Sequence, residues 1–253
     1  MFAEERHQEI LQRARENGRV DVASLATELD VTPETVRRDL SALERAGLVR
    51  RVHGGAIAIE RLGFEPAVAA RESLLTAEKA RIAKAALAEL PDSGAIVLDA
   101  GTTTRQLADM VPTDVELTVV VNSPLLATLL ARRSNLTVMM LGGRVRGRTM
   151  AAVGDWATAA LASIHVDVAF MATNGISVER GLTTPDHNEA ATKAAMIAAA
   201  RRTVLLADHT KIGNDYFARF GDLDAVDTFI TDTGAETELV DEISEAGPRV
   251  VLA

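Results

Sequence analysis

The sequence predicts a two-domain protein of the α/β class, in which a small helical unit precedes a larger domain built on a mostly parallel sheet. Three observations predict this organisation. The chain has 253 residues, which fits two domains of unequal size. Its first 57 residues read as helices followed by a β-hairpin. From Ala95 onward, strand-like apolar runs alternate with helical stretches, which is typical of a parallel sheet covered by helices.

Composition narrows the classes of protein and of site. Hydrophobic residues make up 47% of the chain and charged residues 25%, as in ordinary globular proteins. The absence of cysteine excludes disulfides, cysteine-ligated zinc, iron–sulfur clusters and thiolate catalysis. We find neither a secretory signal nor an apolar run of membrane-spanning length, so we expect a cytoplasmic protein. The histidines are scattered, and we expect no metal and no cofactor.

The N-terminal unit carries the pattern of a DNA-binding motif. Asp21 is placed to cap one helix, and Thr32 to cap the next, with Pro33 in its first turn. Val36, Leu40 and Leu43 give the second helix one apolar face. The opposite face holds its polar residues, Thr35, Arg37, Arg38 and Ser41. Two helices joined by a short turn, the second with a basic face, predict a helix-turn-helix.

A hairpin after this helix strengthens the prediction. Residues 48–57 alternate as two short strands with Gly54 and Gly55 as the turn, and they carry Arg50, Arg51 and His53. An ordinary amphipathic helix with solvated arginines is the alternative for residues 32–43 alone. When the hairpin is included, the segment from Thr32 to Gly55 contains five arginines and three acids. This predicts a locally basic surface in a chain of net charge −9. The sequence therefore predicts a winged helix-turn-helix, residues 1–57, that binds duplex DNA.

The larger domain is predicted from its strands. Seven apolar runs are expected to form the sheet: 95–98, 117–121, 136–141, 166–172, 203–207, 228–231 and 249–252. They are continuous rather than alternating, as in strands buried on both faces. Ligands of such sheets bind beyond the carboxyl ends of the strands. We therefore expect the domain, residues 76–253, to follow a linker of residues 58–75 and to hold a site at that edge.

The loop after the first of these strands predicts a phosphate site. Asp99 is followed by Gly101 and by three threonines, Thr102, Thr103 and Thr104, at the start of a helix. Glycine allows a close approach of the backbone, and the free N–H groups of the helix favour an anion. The alternative is a threonine-capped helix with surplus threonines. Polar residues also follow the other strands: Asn122, Ser123, Asn174, Gly175 and Lys211.

Three further features have a functional and an ordinary interpretation. Glu189 and Lys193 stand four residues apart on a helix near this edge, where a surface ion pair is the alternative. Lys211 is a candidate ligand-binding residue or a solvated lysine. An extended segment is predicted for Arg144, Arg146 and Arg148, which alternate along it and would reach a second phosphate. The alternative is a solvated hairpin or a subunit contact.

The sequence resembles the DeoR family of bacterial transcription regulators. The N-terminal run from Arg6 to Gly55, with VTPETVRRDLSALERAGLVRRVHGGA at its centre, carries the resemblance. In the larger domain it is carried by LDAGTTT, LGGRVRGRT, GLTTPDHNEAATKAAM and VLLADHTKIG. The resemblance implies a sensor domain folded like ribose-5-phosphate isomerase and the coenzyme A transferases. Val121 and His187 depart from residues common in the family.

The resemblance also implies roles for individual residues. A recognition helix would present Thr32, Thr35, Arg37 and Arg38, and a wing Arg50, Arg51 and His53. A sugar-phosphate effector would be bound by a larger set: Asp99, Gly101 to Thr104, Asn122, Asn174, Glu189, Lys193 and Lys211.

Together these observations predict a non-enzymatic repressor of a sugar-utilisation operon. Its partners would be a duplex operator, a sugar-phosphate effector and further copies of the chain in a dimer or tetramer. ERLGFEPAVAARE and DHTKIGNDYFARF resemble regulators of fructose or related phosphotransferase sugars, so a ketohexose monophosphate is the first candidate effector. An active sugar-phosphate isomerase with a DNA-binding domain is the alternative. A structural DNA-binding protein is a third possibility, which leaves the threonine loop without a role.

Overall fold

The computed structural model describes residues 2–16, 19–52, 54–58 and 65–253. The chain divides into two compact units, Met1–Leu74 and Leu75–Ala253, which we describe in turn.

The first unit is a winged helix-turn-helix. Its elements are α1 (Ala3–Glu16), β1 (Arg19–Asp21), α2 (Val22–Glu28), α3 (Pro33–Arg45), β2 (Val49–Val52), β3 (Gly55–Ala58) and α4 (Val68–Glu72). The strands form an antiparallel sheet in the order β1-β3-β2. Ile10, Val36, Leu40 and Val49 are fully buried between the helices and this sheet. These contacts hold α2 and α3 in the helix-turn-helix arrangement that the apolar pattern predicts.

Both predicted helix caps are confirmed. Asp21 accepts hydrogen bonds from the N–H groups of Ala23 (2.9 Å) and Ser24 (3.2 Å) at the start of α2. Thr32 Oγ1 accepts one from Thr35 N at 3.2 Å. Each bond satisfies a backbone donor that the first turn of a helix leaves free.

The predicted Gly-Gly turn is wrong in its position. Gly55 lies in β3, paired with Val52, and Gly54 takes the left-handed conformation with φ +78°. A β-carbon at Gly55 would overlap the carbonyl oxygen of Val20 in β1, a strand that sequence patterning did not predict. Between residues 58 and 75 the chain forms α4, so this segment is not wholly irregular. Residues 59–64 and His53 lie outside the described residues.

The second unit is an α/β domain around a seven-stranded sheet. Its helices are α5 (Thr76–Ala86), α6 (Thr102–Met110), α7 (Pro124–Leu130), α8 (Asp155–Ala162), α9 (His187–Ala198) and α10 (Thr237–Glu245), with 3-10 turns at Leu87–Glu89, His209–Lys211 and Leu223–Ala225. Its strands are β4 (Ser93–Leu98), β5 (Glu116–Val121), β6 (Leu136–Met140), β7 (Arg144–Arg146), β8 (Ala151–Val153), β9 (Val166–Met171), β10 (Gly175–Ser177), β11 (Gly181–Thr184), β12 (Ala200–Leu206), β13 (Ala218–Gly221), β14 (Thr228–Thr231) and β15 (Arg249–Leu252).

The sheet confirms all seven predicted strands. Its order is β15-β14-β12-β9-β4-β5-β6, and every neighbouring pair is parallel. One face packs against α5, α6 and α7, and the other against α8 and α9. Because both faces are covered, the continuous apolar runs have the burial that their composition predicts.

Two small antiparallel sheets were not predicted. One pairs β7 with β8, and the other has the order β10-β11-β13. The N-cap of α5 is Leu75, which makes no side-chain cap. In the part of the chain that the structure describes, no helix is long and apolar enough to cross a membrane.

Candidate effector site and DNA-binding face

A buried polar network lies at the carboxyl ends of β4 and β5. The fully buried carboxylate of Asp99 accepts hydrogen bonds from Lys193 Nζ, from Ala172 N (3.1 Å) and from Asn122 Nδ2 (3.3 Å). Asn122 Oδ1 in turn accepts one from Ala100 N at 2.7 Å. The network fixes the backbone on both sides of the strand ends, next to the threonine loop.

Lys193 is the positive member of this network. It comes from α9, is almost fully buried, and donates a second hydrogen bond to Ala172 O at 2.9 Å. Its Nζ also lies 5.4 Å from the centroid of the Phe220 ring, a distance at which a cation is attracted by the ring face. The surface ion pair considered for Glu189 and Lys193 is therefore wrong, because both side chains are buried and bind different partners.

The threonine loop has the geometry of an anion site. The N-cap of α6 is Gly101, which has no side chain to cap the helix, so a threonine-capped helix is wrong. Thr104 Oγ1 turns back to Asp99 O (2.6 Å) and Gly101 O (3.0 Å). The hydroxyls of Thr102 and Thr103 have no hydrogen-bond partner among the described residues. Two free hydroxyls and the free N–H groups of the first turn therefore share the start of α6.

Glu189 belongs to a second charged cluster. Its carboxylate accepts hydrogen bonds from Arg146 and from Thr149 Oγ1 (3.1 Å). Arg146 Nε also lies 3.3 Å from Asp186 Oδ2, and Asp186 Oδ1 caps α9 by accepting from Glu189 N at 2.9 Å. Arg146, ranked below the threonine loop from sequence, is thus joined to a predicted site residue. Sequence spacing held no signal for a partner 43 positions away.

The predicted extended segment of residues 144–148 is correct for Arg144–Arg146, which form β7, and wrong beyond Arg146. Strand β7 ends at Arg146, and the chain turns so that Met150 N donates to Arg146 O at 2.7 Å. Arg148 lies beyond the strand, so the three arginines do not all line one side of it, and Arg144 and Arg148 are exposed. For Arg144 this position agrees with the hairpin alternative.

Other predicted residues occupy the same edge. Asn174 follows β9, and its Oδ1 accepts a hydrogen bond from Thr184 Oγ1 at 3.0 Å. A β-carbon at Gly175 would overlap the carbonyl oxygen of Asn214, so only glycine fits there. Ser123 is buried and lies at the N-cap of α7 without a side-chain capping bond.

Lys211 lies at the end of β12 beside buried Asp208. Its Nζ is 3.7 Å from Asp208 Oδ1 and donates to Thr210 Oγ1 at 3.1 Å, so it is not a freely solvated lysine. Burial raises the pKa of Asp208, but the charge of Lys211 and the hydrogen bond from Thr210 outweigh it. The pKa of Asp208 is lowered, and the carboxylate is negative at neutral pH.

Sequence reasoning missed a pair formed by His209 and Asp232, which follows β14. His209 Nδ1 and Asp232 Oδ1 are 2.8 Å apart, and His209 N donates to Asp232 Oδ2 at 2.8 Å. The hydrogen bond to Asp232 raises the pKa of His209 despite burial. Burial raises the pKa of Asp232, but the bonds from His209 outweigh it and lower that pKa to about 2. The available signal was an acid after each of two neighbouring strands, Asp208 after β12 and Asp232 after β14.

No group of three or more metal-ligating side chains lies among the described residues.

The predicted DNA-binding face lies on α3 and β2. Arg37, Arg38 and Thr32 are exposed, and Thr35 is half-buried. Arg37 is paired with Glu34 at 3.2 Å on the surface. Arg38, and Arg50 on β2, are exposed and have no partner in the described ranges. These positions place positive charge on one exposed helix and on the wing.

Arg51 and Ser41 join the wing to α3. One guanidinium nitrogen of Arg51 donates to Arg37 O (3.2 Å) and Ser41 Oγ (3.1 Å), and its backbone N–H donates to Glu44 Oε1 (3.0 Å). These two predicted DNA contacts therefore have partners that join the wing to α3. His53, predicted at the wing, lies outside the described residues.

A buried ion pair that the sequence pattern did not reveal fixes α3 to α1. Asp39 binds Arg6 through two nitrogens and lies 3.0 Å from His7 Nε2. Burial raises the pKa of Asp39, but these hydrogen bonds lower it, and the same pairing raises the pKa of Arg6. The pair aligns the recognition helix from the side opposite its exposed arginines.

Comparison with known families accounts for both units. Residues 6–61 match the DeoR-like helix-turn-helix domain, and residues 75–233 match the DeoR C terminal sensor domain. The chain belongs to the DeoR family. It is 38% identical over 251 residues to the HTH-type transcriptional regulator GlpR of Haloferax volcanii, covering 99% of this chain and 98% of the relative. The DeoR-family chain is thus a DNA-binding transcriptional regulator with a sensor domain.

Other relatives carry regulator or repressor names. The uncharacterized HTH-type transcriptional regulator FruR of Bacillus subtilis is 34% identical, with 97% of this chain and 96% of the relative covered. The putative aga operon transcriptional repressor of Escherichia coli O157:H7 is 30% identical, with coverages of 98% and 93%.

Solved structures give weaker similarity. A ribose 5-phosphate isomerase A from Methanocaldococcus jannaschii matches 53% of each chain at 16% identity, with a TM-score of 0.40. The sorbitol operon regulator SorC from Klebsiella pneumoniae matches 80% of this chain and 88% of its own at 14% identity, with a TM-score of 0.37. Similarity at this level supports no conclusion about activity.

Proposed function

We propose that this regulator represses a sugar-utilisation operon and that a phosphorylated sugar, bound at the carboxyl edge of the seven-stranded sheet, releases it from its operator. The observation that carries the proposal is the start of α6, where the hydroxyls of Thr102 and Thr103 and the first-turn N–H groups have no partners in the described chain. A dianionic phosphate satisfies such donors. The names of relatives that are called repressors support the sign of the regulation.

The sugar would lie across the strand ends from this phosphate. Asn174 would offer an amide there, Glu189 with Arg146 a carboxylate and a cation, and Asn122, buried and bonded to Asp99 and Ala100 N, would hold the strand ends in place. Lys211, in the turn after β12, lies at the same edge of the sheet. Ser123, after β5, and Gly175, after β9, would border the sugar site. Ketohexose monophosphates are the first candidates, on the resemblance of DHTKIGNDYFARF to regulators of fructose-type sugars. The place of action would be the cytoplasm, where the operator is.

A ligand screen tests the effector. We expect a fructose monophosphate to raise the melting temperature and unphosphorylated fructose to have no effect. At about 100 times its dissociation constant, a ligand of the native state stabilises by about 2.7 kcal/mol. Inorganic phosphate is the control ligand. A general anion site should bind it about as tightly as the sugar phosphate, whereas a sugar-phosphate site should bind the sugar phosphate much more tightly.

A titration of operator DNA at fixed salt tests the regulation. The effector should lower the affinity for the operator, which requires that it bind the DNA-free state more tightly. If no sugar phosphate changed operator affinity, the release mechanism would be wrong even though the protein bound DNA.

The isomerase alternative has less support from the geometry. Proton abstraction beside a carbonyl needs a base that is free to reach the substrate. Glu189 is engaged by Arg146 and Thr149, and Lys193 by Asp99 and Ala172. Exchange of solvent deuterium into a sugar phosphate, followed by NMR and lost in Glu189→Gln, would favour the enzyme instead.

A further inference from the structure

The two edges of the seven-stranded sheet differ in how they are protected. At one edge, β15 begins with Arg249, which is paired with Glu89, and Arg81 donates to the carbonyl oxygen of Ala253 just past its end. At the other edge, β6 has the sequence Leu-Thr-Val-Met-Met and carries no charge, proline or bulge. Folded proteins usually shield exposed strand edges with such features, because an open edge pairs with other strands.

The outer side of β6 has unpaired backbone groups. Leu141 N, one residue past the strand, donates to Val121 O of β5 at 2.8 Å. Backbone groups alternate in direction along a strand, so those of Met139 also point to β5, and those of Val138 and Met140 point outward. Within the described residues β6 pairs with β5 alone.

Apolar side chains flank this edge on both faces of the sheet. Met139 is 50% exposed and Met140 41% exposed, on opposite faces because they are consecutive in the strand. Trp156 on α8 is 79% exposed and lies against Gly142, just after β6. Leu125, on the helix α7 that packs beside β6, is also exposed. We call Met139, Met140, Trp156 and Leu125, with the strand between them, the β6 edge.

We propose that the β6 edge binds the β6 edge of a second copy of this chain, with the two strands antiparallel about a two-fold axis. A strand paired with itself in this way presents the same residues on both sides, as a two-fold interface requires. The absence of charge on β6 removes like-charge repulsion between the copies. Helix-turn-helix regulators also read two half-sites as dimers.

The size of the patch agrees with a dimer. A tryptophan and three other large apolar side chains exposed to this degree present on the order of 500 Å², the upper end of what monomers leave uncovered. Two copies would then bury on the order of 1,000 Å² in total, the lower limit for a specific interface.

Trp156 is the single tryptophan of the chain and therefore reports on this interface directly. We expect light scattering of the full-length protein to show a dimer that dissociates on dilution. The fluorescence maximum of Trp156 should move to the red over the same concentrations, because the indole becomes exposed to water. In the dimer, the amides of Val138 and Met140 should be protected from hydrogen exchange.

The variant Met139→Lys keeps the fluorescent probe and puts a charge on the edge. It should raise the dissociation constant of the dimer by about 30-fold or more, the effect of losing about 2 kcal/mol at the centre of an interface. Val178→Lys, which changes an exposed apolar residue between β10 and β11, should leave dimerisation unchanged.

Three results would overturn the proposal. One is a chain that stays monomeric at every concentration. The second is a dimer in which Trp156 keeps the emission of a water-exposed indole. The third is a Met139→Lys variant, folded by circular dichroism, that dimerises as tightly as the wild type. If the variant did not fold, the fluorescence and exchange measurements on the wild type would decide the question.

Discussion

Asp99 and Lys193 form a buried ion pair within the candidate effector site, and its removal is the sharpest test at the residue scale. In Lys193→Met, Asp99 keeps its bonds from Asn122 and Ala172 but loses its countercharge. An uncompensated buried charge costs about 3–5 kcal/mol. We expect denaturant unfolding to show a loss of that size.

Two further variants are needed to interpret the loss of stability in Lys193→Met. Asp99→Asn combined with Lys193→Met removes both charges and should recover part of the lost stability. Lys84→Met, on the exposed side of α5, should change stability by less than about 0.5 kcal/mol. A Lys193→Met protein as stable as the Lys84→Met control would contradict the buried pair.

His209 and Asp232 predict a pH dependence of stability. The raised pKa of His209 gives stability that is present below its unfolded value of about 6.5 and is lost as the pH rises through the folded pKa. The lowered pKa of Asp232 gives stability that is present above about 3.8 and is lost as the pH falls towards about 2. The pair therefore stabilises most between these limits, near pH 5.

The variant His209→Gln measures this contribution. The difference in unfolding free energy between wild type and His209→Gln should be largest near pH 5 and should shrink in alkaline buffer. His165→Gln, at an exposed histidine, is the matched control variant. A difference for His209→Gln that grew with pH would contradict the pairing with Asp232.

Sequence reasoning placed the candidate site residues at the carboxyl edge of the sheet, where the structure has them, but did not assign their partners. The loop after β4 was predicted from its glycine and threonines, which are adjacent in the chain. The partner of Glu189 is Arg146 and that of Lys193 is Asp99, which is 94 positions away. The i,i+4 spacing favoured pairing Glu189 with Lys193, and a single sequence carries no signal for such long-range contacts.

At the scale of elements, we expect α3 and the wing to contribute unequally to the binding of DNA. Arg50 on β2 is exposed and free of partners in the described chain, whereas Arg51 is bound to Arg37 O and Ser41 Oγ of α3. We therefore expect Arg50 to contact phosphate and Arg51 to position the wing.

The salt dependence of operator binding separates these roles. Each phosphate contact contributes about 0.9 to the slope of log affinity against log salt. Arg50→Ala should lower the slope by about that amount and leave folding intact. Arg51→Ala should keep the slope and lower the stability of the first unit. Arg201→Ala, at an exposed arginine of the second unit, is the control for loss of charge alone.

The elements themselves differ in how well the sequence predicts them. All seven strands of the parallel sheet were predicted, because burial on both faces requires uninterrupted apolar runs. The three-residue strands β1, β8 and β10 were not, and β7 was predicted only as part of a longer extended segment, since such short segments are stabilised by their neighbours rather than by their own pattern. Gly55 shows the same limit: its place in β3 depends on the close approach of Val20, which lies in another strand.

At the scale of the whole molecule, a regulator that exchanges DNA for an effector must obey reciprocity. If the sugar phosphate lowers operator affinity by a given factor, operator DNA must lower the affinity for the sugar phosphate by the same factor. The two factors are measured independently, by operator titration with and without effector and by calorimetry of the effector with and without operator.

Single variants should remove one half of this coupling at a time. In Thr103→Val the loss of a free hydroxyl at the start of α6 should abolish the response to effector and leave operator binding intact, since the change lies in the second unit. In Arg37→Ala the operator should no longer bind, while the effector binds with the affinity of the free protein. No operator has to be displaced from this variant. Its affinity for the effector is therefore the upper limit of the affinity that the wild type shows in the presence of operator. A factor of one in both wild-type measurements would mean that effector and operator are not coupled, whatever residues bind each of them.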